Sequence, residues 1–423
     1  MDFSTLLYYL IAGLSLINFV RILAMLVGSD FYDISHMRQT FLKKPRSSRL
    51  GISVIIPAYN EEVGVIRTVE SILNNTHKKI QIIVVNDGST DNTKARLRSF
   101  QRSHPGKITV VNQKNAGKAA AINRAVRYWA TEHLIMVVDA DSLLHPDALS
   151  RMALHFRNPR TIAVAANVKV IPTRSFLGIA QRFEYLISYR VKRSLSVLSA
   201  EYIIGGVGST FRRKAILRCG LYDTDTMTED IDLTVKLIKH YGNRQGRIAY
   251  AADCMAYTEH VLRFGSLVKQ RFRWKYGRLQ TFLKNRELFF SRQKRHAKIL
   301  TWYQLPYALF GEFTLLLEPI LVGFIIGVTI AFGDLSSLLW VYAIVSVFVL
   351  LLVLGEDTEP WSAKVLLFAY LPMVYVLMYI LTAVEFLALI KSLRNIKNLR
   401  NHRTKHGAWQ HVERKGGTVT LPT

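Results

Sequence analysis

The distribution of apolar residues constrains this chain more than any average over it. Hydrophobic runs gather at the two ends, and the stretch between them reads as water-soluble. Residues 5–27 carry LLYYLIAGLSLINFVRILAMLV, enough at about 1.5 Å per residue to cross about 30 Å of hydrocarbon, with Arg21 placed to snorkel. We read residues 1–30 as an N-terminal transmembrane anchor. A cleaved signal peptide is the rival reading, but Met1 and Asp2 bring no positive charge and no small-residue cleavage site follows. The whole chain has 423 residues, room for two or three folding units at about 150 residues each.

Further apolar stretches lie at 313–332, 335–354 and 365–390, so residues 300–392 form a C-terminal membrane region. After the anchor come Arg38, Lys43, Lys44, Arg46 and Arg49, which by the positive-inside rule place the middle of the chain in the cytoplasm. The tail, 393–423, is also basic; Lys391, Arg394, Lys397, Arg400 and Arg403 recur at a spacing that gathers them on one helical face toward anionic headgroups. A cytoplasmic middle and a cytoplasmic tail require an even number of crossings between them, whereas the hydropathy marks an odd number. Either the stretch 302–332, with Pro306, Glu312, Glu318 and Pro319, is partly broken or re-entrant, or the tail lies outside. The expected setting is a multi-pass protein of the plasma (inner) membrane with a cytoplasmic middle.

The chain holds 56 Lys plus Arg against 30 Asp plus Glu, a formal net charge of +26. No nucleic-acid partner is expected: the densest basic runs flank the apolar spans, and no helix-turn-helix, zinc-finger or ribonucleoprotein signature accompanies them. Membrane lipids account for them better. The two cysteines, Cys219 and Cys254, have neither a disulfide framework nor a metal-binding spacing and suit a reducing compartment.

Residues 45–295 alternate strand and helix patterns. A β-branched run at 52–57 ends in Pro57 and leads to Tyr59, Asn60 and Glu61; a helical pattern covers 62–73 and a second apolar strand 80–85. VVNDGSTDNT (84–93) turns through a glycine and several capping residues into another helix. The alternation predicts a mostly parallel α/β sheet, whose ligands bind beyond the carboxyl ends of the strands. Asp87 stands at such an end. A strand at 134–138 runs into Asp139, Ala140 and Asp141, and two carboxylates leaving one strand end can share a hard divalent cation, Mg2+ or Mn2+, with a diphosphate completing its shell. Alone, an Asp-x-Asp pattern is more often a solvated turn than a metal site, and its position after a buried strand is what favours the metal.

These motifs in this order resemble the family 2 glycosyltransferases, and in particular the membrane-embedded processive polysaccharide synthases. The resemblance is carried by PAYNE (57–61), NDGSTD (86–91), NAGKAAAIN (115–123), DAD (139–141), GGVGST (205–210), TED (228–230) and QRFRW (270–274), and covers about 52–282. It implies a GT-A type nucleotide-sugar domain with a mostly parallel sheet, flanked by transmembrane helices. It also implies a substrate site that includes Pro57, Tyr59 and Glu61. Asp87 matches the position that holds the uracil of a UDP-sugar, with the Tyr59 ring near the base. Lys118 matches a cation near the nucleotide, Asp139 a nucleotide and metal ligand, and Asp141 the more direct metal ligand. Gly206, Gly208 and Ser209 match an acceptor-site loop where missing side chains let the sugar approach the backbone.

TED matches the position of the acid/base chemistry. Making a β-linkage from an α-linked donor requires the acceptor hydroxyl to attack opposite the leaving diphosphate while a base removes its proton. Asp230 is the implied base, and Glu229 beside it can raise its pKa by like-charge repulsion. The same residues also describe a helix N-terminus with Thr228 as cap. Gln270, Arg273 and Trp274, at i, i+3 and i+4, share one face of a helix; the resemblance makes Arg273 a donor to the leaving diphosphate and Trp274 a platform for a sugar ring. An interfacial anchoring helix is the plainer alternative.

The implied activity is processive, inverting polymerisation of N-acetylglucosamine from UDP-N-acetylglucosamine into an exported polysaccharide. TEDIDLT, and QRFRW with Tyr276 and Gly277, look most similar to poly-β-1,6-N-acetylglucosamine synthases. Hyaluronan, cellulose and chitooligosaccharide synthases, a single-sugar transferase acting on a lipid carrier, and a non-enzymatic sugar-nucleotide-binding scaffold are the alternatives. The expected partners are a UDP-sugar donor, a growing polysaccharide and membrane lipids, with room for an accessory subunit in export.

Overall fold

A computed structural model of the chain describes residues 3–40, 49–244, 247–333 and 335–397. Lys43, Lys44, Arg46, Arg400 and Arg403 lie outside the described residues. Helix α1 (Phe3–Thr40) precedes a regular alternation: β1 (Ile52–Ala58), α2 (Val65–Leu73), β2 (Ile80–Asp87), α3 (Thr93–Ser103), β3 (Ile108–Gln113), α4 (Lys118–Tyr128) and β4 (Leu134–Val137). The second half is less regular: β5 (Leu143–Leu144), α5 (Ala148–His155), β6 (Ala163–Val170), α6 (Phe176–Val197), β7 (Ser209–Arg212), α7 (Arg213–Arg218), α8 (Glu229–Tyr241), β8 (Ile248–Thr258) and α9 (Phe264–Lys284). A π-helical turn, Ile299–Gln304, leads into α10 (Leu305–Phe332), followed by α11 (Leu335–Leu354), α12 (Trp361–Tyr370) and α13 (Val374–Arg394).

The strands form one 8-stranded sheet in the order β3-β2-β1-β4-β7-β6-β8-β5. Its first four are parallel, as the alternation predicts, because each returns through a helix. The remainder is mixed. β7 runs antiparallel to both β4 and β6, and β5 antiparallel to β8, while β6 and β8 are parallel. The difference arises where the long α6 replaces a simple crossover and delivers β7 from the opposite end of the sheet.

The central strands are buried on both faces and therefore read as continuous apolar runs. Alternate residues separate into two cores. Ile55, Ile83 and Val137 pack with Ile122 of α4 and Leu233 of α8, while Val54, Ile56 and Met136 pack with Val69 of α2, Leu97 of α3 and Met152 of α5. All ligand-facing loops of β1, β2 and β4 consequently leave one edge of the domain.

The segments Ile299–Ala331 and Trp361–Arg394 are each long and apolar enough to cross a membrane. Helix α10 continues through Pro319, and the irregularity of this stretch falls earlier, in the π-helical turn. The inner end of α1 is locked to the domain. Tyr32 enters the core and donates its hydroxyl to the Tyr250 carbonyl at 2.8 Å. Asp30 and Asp33 of α1 pair with Arg190 of α6, and Arg193 of α6 bridges Asp33 at 2.9 Å and Glu356, after α11, at 2.7 Å. Arg193 and Glu356 are buried, and removing one partner of a buried pair strands the other charge. We expect Arg193→Met to cost about 3 kcal/mol, read as a lower midpoint in thermal unfolding of the detergent-solubilised protein.

Candidate active site

Beyond the carboxyl ends of β1 and β2, the PAYNE and NDGSTD loops are stitched together. The N–H of Asn60 donates to Ser89 Oγ at 3.0 Å, that of Thr90 to Asn60 Oδ1 at 2.8 Å, and that of Glu61 to Thr93 Oγ1 at 2.8 Å. Pro57 is buried in β1 opposite Val85, and Tyr59 and Glu61 are half-buried on the loop that follows.

Asp87 ends β2 and is fully buried. Its carboxylate accepts from Gln113 Nε2 at 2.7 Å and from the N–H groups of Ala116 and Gly117 at 2.9 and 2.8 Å. In this structure it therefore braces the glycine loop, whose last residue, Gly117, adopts a positive φ of 91° before α4 begins at Lys118.

That brace aims Lys118 into the centre of the site. Its Nζ lies 2.7 Å from Asp139 Oδ1 and 3.2 Å from Glu229 Oε1, joining the end of β4 to the first turn of α8. A methyl group built on Gly206 would sit 3.0 Å from Lys118 Nζ, 3.6 Å from Asp230 Oδ2 and 3.7 Å from Asp139 Oδ2. Lys118, Asp139 and the neighbours Glu229 and Asp230, from three separate stretches of the chain, thus converge beside Gly206. Asp141 is half-buried on the same turn as Asp139 and accepts from Ser142 Oγ at 3.1 Å. Thr68 of α2 holds that turn by donating to the Ala140 carbonyl at 2.8 Å. Gly208 donates to the Val137 carbonyl at 2.8 Å, which puts Ser209, the first residue of β7, beside the end of β4.

The first turn of α8 concentrates Glu229, Asp230 and Asp232. Burial, then the adjacent Glu229 charge, push Asp230 up to about 6 against the pull of Lys118 and the Ile231 N–H. Burial alone would lower the Lys118 ammonium, but Asp139, Glu229 and Asp230 outweigh it and hold the ammonium charged. The acids open α8, as the helix reading of TED expects, but Thr228 at the N-cap position makes no side-chain cap hydrogen bond; Glu229 and Asp230 also stand beside Lys118.

Helix α9 carries Gln270, Arg273 and Trp274 on the face that, one turn on, includes Gly277 against Thr228. Gln280 Oε1 accepts the Met227 N–H at 3.0 Å, fixing α9 to the TED turn. Arg271 lies over the Trp274 ring at 4.2 Å. It also pairs with Glu184 of α6 at 2.6 Å and Glu385 of α13 at 3.4 Å, while Lys275 pairs with Glu312 of α10 at 2.9 Å and Glu385 at 2.8 Å. Sequence reasoning misses these partners and the role of α6; charges at i and i+4 in α9 and lone acids inside apolar helices are the available signal. Asp253 pairs with His155 at 2.7 Å, and Glu259 with Arg67 at 3.0 Å.

Asp223, Asp225 and Asp232 form a second acidic group, but the Lys284 ammonium lies among them at 2.6, 2.8 and 3.1 Å. It is a neutralised seam between α8 and α9. Asp139 and Asp141 also offer half-buried carboxylate oxygens at a strand end, the kind of ligand a hard divalent cation takes.

A mixed sheet with acidic groups at the strand ends and an added helical layer defines a GT-A type glycosyltransferase fold, and residues 53–220 match the sequence model of Glycosyl transferase family 2. Residues 53–220 are thus similar to the family 2 glycosyl transferases. It is 33% identical over 266 residues to a poly-beta-1,6-N-acetyl-D-glucosamine synthase of Staphylococcus epidermidis, covering 62% of this chain and 63% of that protein. A Staphylococcus aureus protein of the same name is 33% identical over 277 residues, 64% of this chain and 65% of its own length. The matches thus span less than two thirds of these relatives. Among solved structures, the mannosyltransferase PcManGT from Pyrobaculum calidifontis, in complex with GDP-Man and Mn2+, superposes over 88% of this chain and 97% of its own with a TM-score of 0.55 at 21% identity, a likeness of fold.

Folding raises the Asp230 pKa from 3.8 to about 6, so the folded protein disfavours the ionised form and loses stability as pH rises through that window. We expect Asp230→Asn to raise the thermal midpoint at pH 8, with the gain shrinking as pH falls from 6 toward 4.

Proposed function

We propose that the protein is a membrane-embedded, processive, inverting β-glycosyltransferase that polymerises N-acetylglucosamine from UDP-N-acetylglucosamine into an exported polysaccharide of the poly-β-1,6 type. The observation that carries this reading is the convergence of Lys118, Asp139, Glu229 and Asp230 around Gly206, with the α9 face packed on the same turn. The 33% identity to the staphylococcal synthases supports the choice of sugar and linkage. The apolar segments flanking the domain, with basic residues beside them, support a plasma-membrane setting with the catalytic domain in the cytoplasm.

In this reading the acceptor hydroxyl loses its proton to Asp230 as its oxygen bonds to the donor's anomeric carbon. The bond from that carbon to the diphosphate breaks on the opposite face, and UDP leaves with the electron pair. A base near 6 suits this role, being ionised at neutral pH yet basic enough to take the proton. Lys118 limits the repulsion among the carboxylates, and Arg273 supplies donors for charge developing on the leaving diphosphate. Asp139 and Asp141 would hold Mg2+ or Mn2+, which would screen diphosphate charge there. Tyr59 offers a face for the base and Trp274 one for the acceptor sugar. Asp87, tied to the loop through Ala116 and Gly117, sets the nucleotide cradle.

The test is synthesis by purified protein in lipid nanodiscs from radiolabelled UDP-N-acetylglucosamine, with products digested by linkage-specific hydrolases. We expect long chains cleaved by a β-1,6-specific hydrolase, strong inhibition by EDTA, and turnover falling about tenfold per pH unit below about 6. Asp230→Asn should lower turnover by about 10²- to 10⁴-fold while UDP binding persists. A product limited to one sugar on a lipid would overturn polymerisation, and undiminished synthesis in Asp230→Asn would overturn the base assignment.

A further inference from the structure

Thr228 stands at the N-cap of α8, immediately before Glu229 and Asp230, yet its side chain makes no cap hydrogen bond. An N-cap threonine ordinarily turns its oxygen onto a helix N–H. Here the residue is buried, and among the described residues its Oγ1 has no hydrogen-bond partner. The side chain is instead pressed against α9 at Gly277. A methyl group built on Gly277 would lie 2.7 Å from Thr228 Cγ2 and 2.8 Å from the Thr228 backbone nitrogen, besides meeting the hydroxyl. Real Cβ atoms do not approach other atoms so closely, and one of these neighbours is main chain, so a side chain here must push the helices apart.

Two further fasteners close the same seam. One residue before Thr228, the Met227 N–H donates to Gln280 Oε1 at 3.0 Å. One turn later in α9, Lys284 Nζ reaches Asp232 in the first turn of α8 at 3.1 Å. Gly277, Gln280 and Lys284 thus descend one side of α9 and clasp the turn that holds the proposed base. Gln270, Arg273 and Trp274 lie on the preceding turns of the same side. The gap between α8 and α9 at Gly277 therefore sets the separation between Asp230 and the arginine and tryptophan of QRFRW.

We infer that Gly277 is a positioning residue for the transfer reaction, holding α9 against Thr228 so that the base and the QRFRW face meet the substrate together. The inference rests on the glycosyltransferase reading and adds to it a specific spacer. Gly277 itself touches no reacting atom. Widening the seam should therefore act mainly on the chemical step and only slightly on nucleotide affinity, because Asp87 and Asp139 stand at the ends of β2 and β4, outside the α8–α9 seam.

The experiment is a double-mutant cycle on the full chain in nanodiscs, comparing wild type, Gly277→Ala, Thr228→Ala and the double variant. Incorporation from UDP-N-acetylglucosamine, UDP affinity by calorimetry and the thermal midpoint are read for each. Incorporation by wild type is the control: if it fails, the glycosyltransferase reading fails first. Given an active wild type, Gly277→Ala should lower kcat at least tenfold with donor KM and UDP affinity within about twofold. Removing Thr228 Oγ1 and Cγ2 eliminates most of the collision, so the cost of Gly277→Ala should shrink at least threefold in the Thr228→Ala background. Strictly additive losses, or unchanged kcat in Gly277→Ala, overturn the inference. Should Gly277→Ala fail to bind UDP, Gln280→Met decides. It opens the seam without a collision, and we expect a kcat loss of at least threefold at unchanged UDP affinity; wild-type kcat in Gln280→Met overturns the inference.

Discussion

The site depends on one ammonium group held among carboxylates. Asp139, Glu229 and Asp230 come from the end of β4 and the start of α8, and the Glu229 and Asp139 charges both disfavour ionisation of Asp230. Lys118 makes the cluster tenable by pairing with Asp139 and Glu229 at once. Its own direction is set further back. Gln113 fixes Asp87, Asp87 holds the N–H groups of Ala116 and Gly117, and the left-handed Gly117 turns the chain so that α4 opens with Lys118 facing the cluster. A buried aspartate outside the cluster is thus the footing of the cation, and a change at Asp87 would be felt at Asp230 through Lys118 without any direct contact.

Helix α9 links this cluster to the apolar helices. One side clasps α8 through Gly277, Gln280 and Lys284. The other sends Arg271 and Lys275 to Glu184, Glu312 and Glu385 on α6, α10 and α13, and Arg278 joins Glu312 as well. Apolar packing alone would tolerate a slide of α9 along its neighbours. Charges buried at i and i+4 do not, because a shift of one residue would leave an ion unpaired in a dry seam. The register of α9, the helix that carries Trp274 and Arg273, is therefore set largely by acids that sit inside apolar helices.

Much of this is legible in the sequence, and the parts that are not share a cause. The strands 52–57, 80–85 and 134–138 are readable because both their faces are buried, and the TED and QRFRW helices because their polar residues keep helical spacing. Periodicity reports how a segment meets its own surroundings. It does not report direction between segments, so the antiparallel β7 escapes it, although the glycines that precede that strand stand out. Glu312 reads as a sign of a broken span, since an acid in an apolar run is costly when alone; its partners Lys275 and Arg278 are distant in sequence and hidden in a helix that reads as merely amphipathic. Asp87 is expected at the nucleotide base, and its bonds to the loop cannot be foreseen because two of its donors are backbone groups. Thr228 and Gly277 carry no visible signal of contact, because a close approach between two helices leaves only a small residue in each sequence.

The same pairing explains where the net charge of +26 goes. Asp30, Asp33, Glu184, Glu312, Glu356, Glu359 and Glu385 are consumed by cations at helix seams. Neutral there, the protein is left with unbalanced lysines and arginines on its surface. Among them Arg286, Lys294, Arg292 and Lys298 are exposed on the segment joining α9 to α10, just ahead of a helix apolar enough to cross a bilayer. A basic collar at that height meets anionic headgroups when the helix is inserted, and each such residue contributes about 1 kcal/mol near a charged surface. Because α9 is fastened to α8 at one side and to α10 at the other, the basic segment, the apolar α10 and the carboxylate cluster are held in one fixed arrangement.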